Sequence, residues 1–245
     1  MSDAMKTLLF AAALGVVCSL LLTLASTGLK AFQRENILVD RQKNVLKSVG
    51  ALDPDRRYRA DDIKALYQKS IKCLPVDDRG RVVAADAVAE HVRPLYLYMQ
   101  DDQVQAYIVP VDSRGLWGRI YGYLAIEKDG RTVAGFSVYQ HSETPGLGGE
   151  IEKRWFRQNF TGKQIVDPNG HFVSVGIAKG EVANVIAPDR QPNFVDGISG
   201  ATMTGRYLSA GLHDSLQTYE PVSVRFRNKG MLKLPEIPQV CPRPQ

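Results

Sequence analysis

The chain has 245 residues, a formal net charge of +5, 44% hydrophobic and 23% charged residues. That is enough chain and apolar surface for one or two domains with real cores, and it excludes a low-complexity or disordered protein. The basic residues are scattered with no run of five, so the charge describes a solvated mixed surface and no nucleic-acid partner is expected.

From Thr7 to Leu29, TLLFAAALGVVCSLLLTLASTGL, 23 residues carry no charge and are framed by Lys6 and Lys30. As a helix this stretch is about 35 Å long, enough to cross a hydrocarbon core of about 30 Å. A cleaved signal peptide needs a shorter apolar region and a small-x-small site, which Leu24-Ala25-Ser26 matches poorly. Cys18 follows Val17 rather than a small residue, against lipid attachment. The reading is a retained, single-pass membrane anchor over residues 1–30. Only Lys6 precedes the span, whereas Lys30, Arg34, Arg41, Lys43 and Lys47 follow it. Lys/Arg counting alone therefore places the domain that follows in the cytoplasm. Of the remaining cysteines, Cys73 and Cys241 pair in an oxidising compartment or stay as two thiols; the sequence leaves both open.

Residues 31–100 read as a helical connector and the start of a soluble domain. QRENILVDRQKNVLKSVG, 33–50, spaces Ile37, Leu38, Val45, Leu46 and Val49 helically and stops on Gly50. DDIKALYQKSI, 61–71, is a short helix opened by an aspartate cap. Residues 101–219 form a second region. YIVPV (107–111) is a strand, and 119–127 and 131–141 are two long strands joined at Asp129-Gly130. EIEKRWFRQNF (150–160) returns to helical spacing, with Ile151, Trp155 and Phe160 on or near one face. HFVSVGIA (171–178) and ANVIA (183–187) read as further strands. The last helix opens near Ser199–Thr202 and runs to about Tyr219, and 220–245 is a proline-containing tail. The fold class is α+β: one N-terminal transmembrane helix, then a largely antiparallel sheet with packed helices.

Two stretches concentrate chemistry. VDGISGATMTGRYLSAGLHDSL (Val195–Leu216) gathers Gly197, Gly200 and the hydroxyls of Ser199, Thr202 and Thr204 at a helix start. The glycines allow close approach of a ligand, and the helix N-terminus offers unpaired N–H groups to a phosphate. The plainer reading is that Ser199 or Thr202 caps the helix. No lysine follows Gly200 as a P-loop requires, and no G-x-G-x-x-G precedes a helix. A hydrolase built on Ser199, Asp196 and His141 or His213 lacks the G-x-S-x-G elbow. The second stretch, HSETPGLGGE (His141–Glu150), places three glycines and a Thr144-Pro145 turn after a strand, a backbone able to lie against a flat ligand. His141 and Glu143 suggest a metal, but the four histidines are dispersed and no metal site is expected. Trp117, in GLWG (115–118), reads as a core residue.

DGISGAT (Asp196–Thr202) is similar to the D-x-x-[ST]-G-A-T flavinylation motif of the FMN-binding family. That family comprises the C subunit of the sodium-pumping NADH:quinone oxidoreductase and the G subunit of the related RNF complex. KTLLFAAALGVVCSLLLT, DRQKNVLKSVGAL and the block GLWGRIYGYLAIEKDGRTVAGFSVYQHSETPGLGGEIEKRWFRQNFTGK look like the former, so the resemblance runs from Lys6 to about Leu216. It implies covalent FMN, joined through its phosphate to the Thr202 hydroxyl, with Thr204 the competing acceptor. Ser199, Gly200 and Ala201 accompany Thr202 in the binding site, and Glu143, Thr144, Gly146, Leu147 and Gly148 form its other wall. Asp196 resembles the motif position read by a flavin transferase, and Arg206 either adds charge to the phosphate or is a solvated arginine. The implied role is a flavin relay among the other subunits of a complex that passes electrons from NADH to ubiquinone and exports sodium. The family's domain is extracytoplasmic, at the bacterial inner membrane, opposite to the charge count. The tail from Glu220 to Gln245 has no counterpart in the resemblance.

Overall fold

The structure, a computed structural model, describes residues 2–83 and 92–228. It divides after Arg41 into an N-terminal helical unit and a second unit that begins at Gln42.

Helix α1 runs Asp3–Ser48, so the apolar stretch and the 33–50 segment read as separate pieces form one element. Nothing between them breaks a helix: Lys30, Ala31 and Phe32 include no glycine or proline. In the first unit α1 is long and apolar enough to cross a membrane, and none of its most apolar window is buried. This is compatible with a single-pass anchor. The helix ends as its sequence predicts: Gly50 adopts φ +68°, its N–H reaches Lys47 O at 3.1 Å, and the Ala51 N–H reaches Leu46 O at 3.0 Å.

The second unit is built on a five-stranded antiparallel meander, β1 (Ile71–Val76), β2 (Arg93–Gln100), β3 (Gln103–Arg114), β4 (Arg119–Glu127) and β5 (Val133–Gln140), in that spatial order. Strands β1 and β2 escape the sequence reading. β3 exceeds the expected YIVPV at both ends. The β2–β3 turn uses Asp101 and Asp102, both at positive φ, a type I′ geometry whose twist matches the strands. At the β4–β5 turn, Asp129 Oδ1 accepts from the N–H groups of Arg131 and Thr132 at 2.8 and 2.9 Å, and Gly130 takes φ +69°.

Consecutive residues Tyr107, Ile108 and Val109 are fully buried, so β3 is covered on both faces. One face carries Leu97, Val109, Leu124 and Val138 against the stripe Leu208, Leu212 and Leu216 of helix α5 (Thr202–Arg227). Each such leucine contributes about 2 kcal/mol by burial. Gly211 lets α5 lie against β3: a Cβ there would meet Ser113 Cβ at 2.2 Å. The other face receives the end of α1, where Val45 and Leu46 are buried and Ser137 donates to Asn44 O at 2.7 Å. Helix α2 (Ala60–Ser70) adds Ile63.

The remaining elements are short. The expected 150–160 helix divides into a 3₁₀ turn, Gly148–Glu152, and α3 (Arg154–Gln158). Its buried residues are Ile151, Phe156 and Phe160, whereas Trp155 is half exposed and donates Nε1–H to Glu150. The expected strand at 171–178 shrinks to β6 (Gly176–Ile177), which pairs in parallel with β7 (Phe194–Val195). The expected strand at 183–187 is instead α4 (Val182–Val185), where a single turn brings Val182 inward and leaves Val185 exposed. A second 3₁₀ turn spans Pro188–Asn193. α5 passes the expected end at Tyr219 and continues through Pro221 to Arg227. Tertiary packing overrides the breaker there: Tyr107 OH donates to Ser223 at 2.7 Å and its ring stacks on Phe226. The tail beyond 228, with Cys241, lies outside the described residues.

Candidate functional site

Residues 196–201 lead from β7 into α5, and their conformation follows from close backbone contacts. The Gly197 N–H donates to Gly180 O at 2.8 Å, and a Cβ on Gly197 would lie 2.3 Å from Ala178 O. Asp196 Oδ1 accepts from the Val182 N–H at 2.7 Å, so its carboxylate holds the first turn of α4 to this loop. Gly200 turns the chain at φ +75°, a backbone that favours glycine, and the Ala201 N–H closes the turn on Ile198 O at 3.1 Å.

Helix α5 then opens without a side-chain cap. Neither Ser199 nor Thr202 fills that role; both are exposed, and Thr202 is the first helical residue. The first helical bond runs from the Gly205 N–H to Ala201 O at 3.0 Å, so the N–H groups of Thr202, Met203 and Thr204 precede it. Positions two apart on a helix point roughly 200° apart. Thr202 accordingly faces solvent while Thr204 is buried, 1% exposed, and donates its hydroxyl to Glu143 Oε2 at 2.5 Å.

Glu143 is the junction of three chain segments. Its other oxygen accepts from the Trp117 N–H at 3.0 Å, and its own N–H donates to His141 Nδ1 at 3.1 Å. The carboxylate is buried, held between the 115–118 turn, its own loop and α5. Two glycines make room for it: a Cβ on Gly115 would meet Oε1 at 2.4 Å, and one on Gly148 would meet Oε2 at 2.7 Å. The structure thus gives Glu143 a supporting position inside the wall. Thr144, Gly146 and Leu147 are exposed on the same loop, and Gly148 is buried beneath it. Leu147 reaches α5's approach: a Cβ on Gly200 would touch its Cδ2 at 2.8 Å.

The sequence-predicted residues therefore converge: the 143–148 loop meets the 200–204 helix start. Sequence reasoning misses the third partner, the GLWG turn. Trp117 is not a core residue; it is 70% exposed, Leu116 is 50% exposed, and the turn is closed by the Gly115 N–H on Gly118 O. The flanking glycines are the signal, since they permit a tight turn that extrudes the two apolar side chains. With Leu147 and Met203, these residues give the three segments exposed apolar side chains. Arg206 is exposed. His141 accepts from the Glu143 N–H on Nδ1 and faces Glu152, 3.4 Å from its Nε2.

The arrangement suits a ligand with a phosphate and an apolar planar body: a helix N-terminus for the first, an exposed apolar border for the second. The FMN-binding domain family matches residues 115–217, a range bounded by this turn and this helix. The C subunit of the Na(+)-translocating NADH-quinone reductase of Yersinia pestis is 34% identical over 229 residues, covering 81% of this chain and 83% of that protein. Its Pseudomonas aeruginosa counterpart is 32% identical, covering 85% and 89%. A crystal structure of the Parabacteroides distasonis C subunit superposes with TM-score 0.68 at 30% identity, covering 80% of this chain and 96% of that one. Shewanella oneidensis NqrC shares the fold, with TM-score 0.64. With the identity spread over four fifths of these chains and the domain match falling on the observed site, the chain belongs to the family of C subunits of the Na(+)-translocating NADH-quinone reductase.

Proposed function

We propose that this chain is the flavin-carrying subunit of a membrane complex that passes electrons from NADH to ubiquinone coupled to sodium export, and that FMN is esterified through its phosphate to the Thr202 hydroxyl. The names of the relatives support the complex-level reaction. The observation that carries the attachment is the contrast between two threonines: Thr202 is exposed at an uncapped helix start, and Thr204 is buried and engaged by Glu143.

The residues fit the cofactor. The opening N–H groups of α5 and the helix dipole stabilise the two negative charges of a phosphate monoester or the one of a diester. Gly200 turns the backbone into α5 at a φ where an L-residue is strained, and its missing Cβ leaves room for Leu147 beside the helix start. Leu116, Trp117, Leu147 and Met203 offer apolar surface to a flat ring and exclude water from the side they cover. Glu143 holds the Trp117 turn and α5 in register, so the border and the attachment point move together. When bound, FMN supplies the one-electron redox chemistry, and the protein supplies position and electrostatics.

Attachment requires a flavin transferase, for which Asp196 is the proposed recognition residue. An extracytoplasmic domain at the inner membrane is part of the same proposal, because a covalent link retains a cofactor where free FMN is lost. The experiment is peptide mapping by mass spectrometry of chain co-expressed with a flavin transferase. The flavin mass falls on the peptide containing Thr202. An unmodified peptide, with the transferase active on another substrate protein, overturns the proposal.

A further inference from the structure

His141 stands between the end of β5 and the loop that carries Glu143 and Leu147, with 16% of its side chain exposed. Both ring nitrogens are engaged. Nδ1 lies 3.1 Å from the Glu143 backbone nitrogen, and Nε2 lies 3.4 Å from Glu152 Oε2, at the end of the 3₁₀ turn. A backbone N–H can only donate, so Nδ1 must present its lone pair to it. The proton of the neutral ring then sits on Nε2, where it faces a carboxylate that accepts it. The two contacts together select one tautomer.

The bond to Nδ1 ties the loop to the strand. Beyond it the loop closes on itself: Thr144 O accepts from the N–H groups of Leu147 at 3.1 Å and Gly149 at 2.9 Å. Glu143, held at its own N–H by His141, reaches forward with its carboxylate to Trp117 and Thr204. The charged groups around the ring come from three neighbouring elements. On the 3₁₀ turn, burial works to raise the Glu152 carboxyl, but hydrogen bonds from Lys153 and His141 outweigh burial and hold it below its ordinary range. Glu150 on the same turn accepts from Trp155. Lys153 Nζ lies 3.4 Å from Glu152 Oε1, and Arg157 of α3 donates Nε–H to Glu152 O at 2.9 Å. On β4, which pairs with β5 at Tyr121 and Gln140, Arg119 is bound to Asp112 at 2.6 Å.

We infer that His141 is a positioning residue for the flavin wall: its neutral, Nε2-protonated ring fixes the 143–148 loop to β5, and a second proton on Nδ1 releases that loop. A protonated Nδ1 is a donor facing the Glu143 N–H, and two donors cannot bond. The imidazolium keeps Glu152 as its partner and loses Glu143. The tie is therefore present while the ring is neutral and is lost as pH falls and the ring takes a proton from solvent. Release of the loop follows from these contacts alone, whereas its effect on FMN rests on the attachment proposed for Thr202.

The test begins with the full chain made without a flavin transferase, in uncharged detergent and with ¹⁵N-labelled histidine. Long-range ¹H–¹⁵N spectra of the imidazoles identify the protonated nitrogen, and the signals missing from H141N are those of His141. The expected tautomer at neutral pH carries its proton on Nε2. Amide exchange read by mass spectrometry, corrected for the intrinsic pH dependence of exchange, is expected to show protection of the loop falling about tenfold as the His141 ring titrates. In H141N the Asn Oδ1 accepts from the N–H two residues on and does not titrate, so protection holds across the same pH range. H141Q carries its amide one carbon further out, leaves the Glu143 N–H unpaired and is weakly protected at every pH. A proton on Nδ1 at neutral pH, protection that ignores the ring's titration, or a pH response retained in H141N overturns the inference. Chain loaded with FMN by a transferase then reports the coupling: its flavin absorption bands are expected to shift with the same titration in the parent and to stay fixed in H141N. Fixed bands in the parent, beside a loop that titrates, overturn the effect on FMN. A chain that takes up no flavin contradicts the attachment at Thr202 and leaves the loop result standing.

Discussion

The Thr204 hydroxyl donates to the Glu143 carboxylate across 61 positions of sequence, at 2.5 Å, and in doing so joins the glycine-rich loop to the helix that begins with Thr202. The same carboxylate accepts from the Trp117 N–H. Removing a buried acceptor leaves its two donors unpaired, at the desolvation cost of both. Glu143→Ala is expected to lower stability by about 3 kcal/mol, and Glu143→Gln by about 1 kcal/mol because an amide still offers one oxygen and one donor. Urea unfolding with unchanged m checks the ranking. Equal effects of the two substitutions would remove Glu143 from the role assigned to it.

Two glycines in one loop separate backbone strain from crowding. Gly146 sits at φ +74° with nothing within 4 Å of a built Cβ. Gly146→Ala is expected to cost about 1 kcal/mol through strain alone. At Gly148 a Cβ would lie 2.6 Å from Thr204 Oγ1 and 2.7 Å from Glu143 Oε2, so Gly148→Ala is expected to cost about 3 kcal/mol by overpacking. Denaturant midpoints of the two variants test this order.

Much of this junction is legible in the residues. The 129–130 turn and the Gly50 stop follow from local chemistry that the structure keeps, and α5 opens within the expected 199–202 although neither expected cap forms. What is illegible depends on partners distant in sequence. Strand β1 is short and its pairing with β2 is set by the sheet, and ANVIA carries strand-like residues yet forms a turn of helix because Asp196, twelve positions beyond Asn184, takes the Val182 N–H. Trp117 reads as core by residue type, and only the closure of its turn on Glu143 puts it outside. Thr202 and Thr204 are both open as acceptors until helix phase and burial divide them.

Asp196 has a structural role, its bond to α4, and a proposed recognition role, and substitution can separate them. Its Oδ1 bond to the Val182 N–H is retained by the amide of Asn, whereas the charge is lost. Asp196→Ala is expected to cost about 1 kcal/mol of stability and to abolish flavin incorporation. Asp196→Asn is expected to keep the unfolding midpoint and still lose incorporation. Normal incorporation in the Asn variant would reduce Asp196 to a structural residue.

Acid stability carries a signature from Asp129. Burial works to raise its carboxyl, but hydrogen bonds from Thr132 and the N–H of Arg131 outweigh burial and hold it below its ordinary 3.8. The unfolded chain therefore binds this proton first as pH falls, so the stabilisation is fully present above about pH 4 and disappears as pH drops through the lower, folded value. Asp129→Asn is expected to be less stable at neutral pH and to show a flatter fall below pH 4, measured by urea midpoints across pH. A parallel pair of curves would contradict the assignment.

The most direct measurement is ultraviolet fluorescence of denatured chain on a gel after co-expression with a flavin transferase, for the parent, Thr202→Ala and Thr204→Ser. Serine at 204 keeps a hydroxyl for Glu143, so the loop and helix stay joined. The account predicts a fluorescent band in the parent and in Thr204→Ser and a dark band in Thr202→Ala. Fluorescence that persists in Thr202→Ala would contradict attachment at the helix start, and with it the central claim.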